Sequence, residues 1–247
     1  MSYAFQWMRS FVFLLQMYLA MFILGFFFFP WAIVQRKGAY IAVRTFCRWV
    51  RWTARWMIGL TSEIRGDVPR GELLIAGKHQ SFFDIIMIVS AVDKPKFIMK
   101  SSLVWAPILG QYALRIGCVP VNRGKRSEAI KLMINNVRLG TAPAGQLIIY
   151  PQGTRVTPGD KVPYKIGTAV LYRETGQACV PAATNVGLFW PRYGVYRANG
   201  HAVVEFLPAI EQGLNNKKFM RVLEEVIENH SNQLMKEAGF NKRSKIA

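Results

Sequence analysis

Hydrophobic and polar positions along the chain fall into three regimes. From Ser10 to Gln35, in SFVFLLQMYLAMFILGFFFFPWAIVQ, no residue is charged, and a helix of that length covers the ~30 Å of a bilayer's hydrocarbon core. A membrane-contacting helix is the expectation. A cleavable signal peptide is the competing explanation, but the apolar run outlasts a signal h-region and is followed by Arg36 and Lys37 instead of a small-residue cleavage site. Pro30 removes a helix hydrogen bond and crowds the preceding turn, which leaves a straight span and a hairpin entering one leaflet both open.

The second regime runs from Ala39 to Leu60. Arg44, Arg48, Arg51 and Arg55 recur at steps of four, three and four, which keeps them on one helix face. Val43, Phe46, Val50 and Met57 face the other way, and Trp49, Trp52 and Trp56 fall on the flank between. Basic, apolar and tryptophan stripes together suit an interfacial helix at anionic headgroups. The alternative is an amphipathic helix packed on the protein core with a solvated arginine face.

Beyond Thr61, short apolar runs alternate with amphipathic stretches, an α/β signature. The pattern predicts strands at 73–76, 96–99, 118–121, 146–150, 179–183 and 202–206, and helices at 82–91, 127–139, 165–175 and 217–238. Residues 1–60 are thus expected to form N-terminal membrane-associated helices. Residues 61–247 are expected to form an α/β domain with a mixed central sheet flanked by helices. The basic stretch 241–247 reads as a frayed, solvated end.

Charge narrows the partners. Lys and Arg number 32 against 14 Asp and Glu, a formal charge of +18, while 51% of residues are hydrophobic, which excludes a disordered polycation. A basic, well-packed chain meets something anionic: nucleic acid, a phospholipid surface, a phosphorylated substrate or an acidic carrier protein. No nucleic-acid motif is present and the aromatics gather in the apolar N-terminal part, so no nucleic-acid partner is expected and a phospholipid membrane is. Cys47, Cys118 and Cys179 form no CxxC pair and have no histidine at zinc-site spacing, so neither a disulfide scaffold nor a metal is expected.

Three clusters can carry chemistry. His79 ends the run LLIAGKH, and Asp84 follows it in HQSFFD. On one regular helix a separation of five places two side chains about 140° apart, so the pair meets only where His79 precedes the helix and Asp84 lies in its first turns. There the carboxylate would fix the imidazole tautomer and leave the other ring nitrogen to accept an alcohol proton. The bland alternative is a locally satisfied histidine near a helix-capping aspartate. In CVPVNRGKR, Arg123, Lys125 and Arg126 follow an apolar strand at a glycine-containing turn, either a phosphate site or a solvated basic loop. In LIIYPQGTRVTPGD, Gly153 lets backbone approach a ligand, Thr154 offers a hydroxyl and Arg155 can hold a phosphate or carboxylate by two parallel hydrogen bonds.

The blocks GKHQSFFD (77–84), VPVNRGKR (119–126), YPQGTR (150–155) and VPAATN (180–185), in this order, resemble the glycerolipid acyltransferase family, bacterial 1-acylglycerol-3-phosphate acyltransferases most of all. The resemblance runs from the N-terminal apolar segment to the last helix. It implies the glycerolipid acyltransferase fold, with His79 as general base for the acceptor hydroxyl and Asp84 as its orienting partner. It also implies Lys100, Arg123, Gly153, Thr154 and Arg155 as acceptor-phosphate residues, and Pro181 near an acyl pocket unless it is only a strand proline. The implied reaction moves a fatty acyl group from acyl-CoA or acyl carrier protein to the 2-hydroxyl of lysophosphatidic acid, giving phosphatidic acid in phospholipid biosynthesis, with no cofactor. The implied location is the cytoplasmic side of the inner membrane. The basic surface can hold anionic lipid or dock the acyl donor, with Lys94, Lys96 and Lys100 as candidates and a solvated basic edge as the alternative. One departure stands out: Gln152 occupies the place where the family's third block usually carries glutamate. That keeps Gln152 as an acceptor contact and keeps open another acceptor, a lyso-ornithine lipid or a lysophospholipid. The rival from a different class is a noncatalytic membrane protein that binds anionic lipid.

Overall fold

The computed structural model describes residues 2–121, 131 and 144–240. Arg123 and the helix expected at 127–139 lie outside the described residues, as does the tail 241–247. Helix α1, Tyr3–Val34, runs unbroken through Pro30, and the chain reverses at Gln35 into α2, Arg36–Met57. The polar residues of α1 point inward. Gln6 donates to the carbonyls of Ile58 and Arg197, Ser10 bonds the backbone of Arg197, and Gln16 meets Thr53 and Trp49. The outward positions, among them Leu15, Leu19, Ile23, Phe26 and Phe27, are apolar and exposed.

Strands β1 (Leu60–Arg65), β2 (Leu73–Gly77), β3 (Pro95–Lys100), β4 (Val119–Val121), β5 (Gln146–Ile149), β6 (Cys179–Thr184) and β7 (Gly200–Phe206) form one sheet in the order β1-β7-β6-β2-β5-β3-β4. All neighbouring pairs are parallel except β6 and β7. The sheet is mixed, as expected, and buried on both faces. On one side Ile75, Ile148 and Val204 pack under α2 and α3 (Phe82–Ala91), together with Phe13 and Met17 of α1. On the other, Leu74, Ala76 and Leu147 pack under α5 (Gly167–Thr175) and α6 (Asn216–Glu237). The N-terminal helices and the sheet share a core, so residue 60 marks a change of secondary structure and no gap in packing.

Two elements escape the hydrophobic pattern. Strand β1 reads LTSEIR with only Leu60 buried, because it is an edge strand whose place is fixed by pairing with β7, Leu60 opposite Gly200 through Arg65 opposite Glu205. Helix α4, Leu109–Arg115, follows a 3-10 turn at Ser101–Trp105 and is too short to show a helical period. Strand β2 lies between β5 and β6 in parallel, and β5 pairs with β3, so four strands deliver their C-terminal ends to the same edge. That is where open α/β sheets hold ligands.

Candidate active site

The chain leaves β2 at Gly77 and reaches the first turn of α3 within four residues. Ser81 is the N-cap, its hydroxyl accepting from the Phe83 amide at 3.1 Å. Asp84 answers with the same oxygen, Oδ2, accepting from the amides of Ser81 (2.7 Å) and Gln80 (2.8 Å). This is a capping box, which satisfies helix-start donors that would otherwise be orphaned in the interior. Because the cap holds the carboxylate at the turn, its Oδ1 stands 3.0 Å from Nδ1 of His79 and Oδ2 stands 3.3 Å away. A carboxylate only accepts, so Nδ1 carries the proton and Nε2 presents a lone pair. The Asp84 side chain is fully buried while His79 keeps 14% of its surface.

Four further contacts fix the imidazole and its turn. The ring of Tyr150, at the end of β5, stacks on His79 with centroids 4.0 Å apart and planes 20° apart. Burial first, and the Asp84 charge second, hold the Tyr150 hydroxyl well above its usual pKa, so it stays neutral beside the pair. The Val156 amide donates to the His79 carbonyl at 2.7 Å, tying the YPQGTR turn to the His79 turn. From the sheet's far side, buried Lys78 pairs with Glu228 of α6, which also accepts from Tyr164 at 2.9 Å, and Gln80 accepts from the Gly187 amide at 3.0 Å. Sequence reading misses Tyr150, Lys78, Gln80 and Glu228 as supports. The β2–β5 register that pairs Ala76 with Ile149 is the signal that sets Tyr150 beside the His79 turn.

The residues expected at the acceptor phosphate divide. Gly153 sits at φ +67°, a left-handed conformation that favours glycine, and its amide closes the turn on the Tyr150 carbonyl at 2.8 Å. Thr154 and Arg155 follow, both partly buried. Arg155 donates to the Arg192 carbonyl and Arg192 to the Arg155 carbonyl, both at 3.1 Å, with the two guanidinium groups 6.0 and 4.9 Å from the Tyr193 ring. Two guanidinium groups thus gather at one aromatic ring. Lys100 ends β3 at the same sheet edge and is exposed. Gln152 is 1% exposed; its amide donates to the Val162 carbonyl at 3.4 Å, and its Oε1 has no hydrogen-bond partner among the described residues. Pro181 lies inside β6, opposite Ala76 and buried, as a strand proline.

The arginines of α2 also divide. Arg44 is taken by the Val92 carbonyl and by Asp93, and Arg51 by Ser62 and Ser90, which is the core-packed alternative for these two. Arg48 and Arg55 remain exposed with Trp49, Trp52 and Trp56. All three cysteines are buried, which pushes Cys47 and Cys179 up to about 12 and Cys118 to about 11. None is a thiolate near neutrality. Treatment with N-ethylmaleimide at pH 7 is therefore expected to leave acyl transfer unchanged. Inactivation together with recovery of an acyl-cysteine peptide would show a covalent route.

The sheet edge thus carries a capped His–Asp pair, and comparison with known proteins gives the class of protein. The Acyltransferase family profile matches residues 59–185, and the chain belongs to that family. A 1-acyl-sn-glycerol-3-phosphate acyltransferase of Pseudomonas aeruginosa is 25% identical over 76% of this chain and 73% of its own length. The protein of the same name from Limnanthes alba is 28% identical over 63% of this chain and 56% of its own length. The crystal structure of the 1-acyl-sn-glycerophosphate acyltransferase PlsC from Thermotoga maritima superimposes with a TM-score of 0.76 at 17% identity, over 92% of this chain and 97% of that one. It shares the fold.

Proposed function

We propose that this acyltransferase acylates the 2-hydroxyl of lysophosphatidic acid to give phosphatidic acid, using a fatty acyl thioester of coenzyme A or acyl carrier protein. The observation that carries the reading is the His79–Asp84 pair, in which Nε2 has no hydrogen-bond partner among the described residues, with Lys100 and Arg155 at the same sheet edge. The acceptor's phosphate would engage Lys100, Thr154 and Arg155, with Arg123 from the second block. Nε2 of His79 takes the proton from the 2-hydroxyl as its oxygen attacks the thioester carbonyl carbon. Asp84 steadies the imidazolium. The tetrahedral adduct then expels the thiolate, which receives that proton, so His79 and Asp84 return to their starting states. No residue of the chain need carry the acyl group, since Ser81, the nearest hydroxyl in sequence, is engaged as the helix cap.

Helix α1 is long and apolar enough to cross a membrane. It also touches the rest of the chain at both ends, through Gln6 at its start and through Ala32 and Ile33 at its end. This supports α1 lying along one leaflet with its outer face in lipid, Trp49, Trp52 and Trp56 at the interface, and Arg48 and Arg55 at anionic headgroups. The catalytic face would then sit on the cytoplasmic side of the inner membrane, where acyl donors are available. A different lysolipid acceptor is the second reading, favoured by the uncharged Gln152.

The test is acyl transfer by the purified full chain from palmitoyl-coenzyme A in mixed micelles, followed by mass spectrometry. Lysophosphatidic acid, lyso-ornithine lipid and lysophosphatidylethanolamine are offered separately. Phosphatidic acid is the expected major product. Transfer to another lysolipid without transfer to lysophosphatidic acid overturns the substrate assignment.

A further inference from the structure

The segment between β3 and β4 has an unusual surface. Its inner positions Val104, Ile108, Tyr112 and Ile116 follow one another at steps of four and pack with Phe28 and Ala32 of α1. The outer positions of a helix packed on a protein core are ordinarily polar. Here, beside Ser102, Pro107 and Gln111, they include Leu103, Trp105, Leu109 and Leu114, and Trp105 is 86% exposed. The segment is fastened to α1 at three points. Ile108 lies against Gly25, where a Cβ would come within 2.5 Å of its side chain, so only glycine allows the approach. The Tyr112 hydroxyl donates to the Gly25 carbonyl at 2.7 Å, and Arg115 donates to the Ala32 and Ile33 carbonyls at 2.9 and 2.7 Å. The outer face of the segment therefore continues the exposed apolar half of α1 that carries Phe26 and Phe27. Charge agrees with the same partner: no acidic residue occurs from Lys94 to Ser127, while Lys94, Lys96 and Lys100 precede the segment.

We infer that residues 101–115 are a second membrane-docking element, with Leu103, Trp105 and Leu109 entering the interface of an anionic bilayer beside α1. The inference rests on the reading that α1 lies in the membrane. Continuity of the apolar surface and the preceding cations fit a lipid surface. Its consequence lies in the site: Lys100 is the residue immediately before the segment, so docking brings this cation to the depth of a lysolipid's phosphate and the acceptor need not leave the bilayer to meet His79.

Because the native cysteines are buried, a cysteine placed on the surface can be labelled selectively with an environment-sensitive fluorophore. Three full-length variants are compared, Trp105→Cys, Phe26→Cys in α1 and Glu225→Cys on α6, each bound to vesicles of phosphatidylethanolamine and phosphatidylglycerol. The expected result is a blue shift and quenching by spin-labelled lipid at positions 26 and 105, with loss of iodide quenching there, and neither change at 225. A label at 105 that stays open to iodide while the label at 26 is quenched by lipid overturns the inference and leaves the α1 reading intact. A label at 26 that stays in water overturns both.

Discussion

Replacing His79 by alanine lowers acyl transfer by about 10³-fold, within the range a positioned general base supplies, while the protein stays folded and membrane-bound. The side chain's contacts are few: Nδ1 to Asp84 and the stack on Tyr150. The load-carrying contact of the turn is made by backbone, the His79 carbonyl accepting from the Val156 amide, and alanine keeps it. Asp84 retains both amides of the helix cap. The loss is therefore expected in kcat, with KM for the lysolipid little changed because Lys100, Thr154 and Arg155 are untouched. Steady-state kinetics with a thermal-unfolding control measures both. A variant as active as the parent would remove His79 from the mechanism and favour the noncatalytic lipid-binding rival.

Local patterning carries far into this fold. Helix α3 lies at the expected 82–91, because its nearly all-apolar sequence is buried between sheet and α2, and β2, β3, β5, β6 and β7 start or end within two residues of their expected positions. What the pattern lacks is information set by partners distant in sequence. Strand β1 has the polar composition of a loop and becomes a strand only by pairing with β7 some 140 residues later, as in Thr61 opposite His201. The arginine stripe of α2 is legible, yet whether a given arginine meets lipid or protein depends on Asp93, Ser62 and Ser90, which no helical period reveals. In the site, the His79–Asp84 pair was legible because the strand-to-helix turn that joins them is local. The Tyr150 stack and the Lys78–Glu228 pair depend on the sheet order and on α6, and were not.

Replacing Asp84 by asparagine is expected to lower kcat by about 10⁴-fold, the size of loss that follows when the wrong imidazole tautomer is enforced. Oδ2 accepts from both the Gln80 and Ser81 amides, so the single oxygen of asparagine stays there and its amino group takes the place of Oδ1, facing Nδ1. Two donors cannot share that contact. The ring proton moves to Nε2, and the nitrogen that should accept the hydroxyl proton now carries one. The substitution also removes the charge that steadies the imidazolium, so reprotonation of the leaving thiolate is impaired together with the attack. Because the cap survives, stability should change little, which separates this variant from Asp84→Ala, where each buried amide left without an acceptor costs about 1–3 kcal/mol. Kinetics and unfolding measured on both variants distinguish the roles. An asparagine variant that retains a large share of parental kcat would show that Asp84 serves α3 alone and does not orient the base.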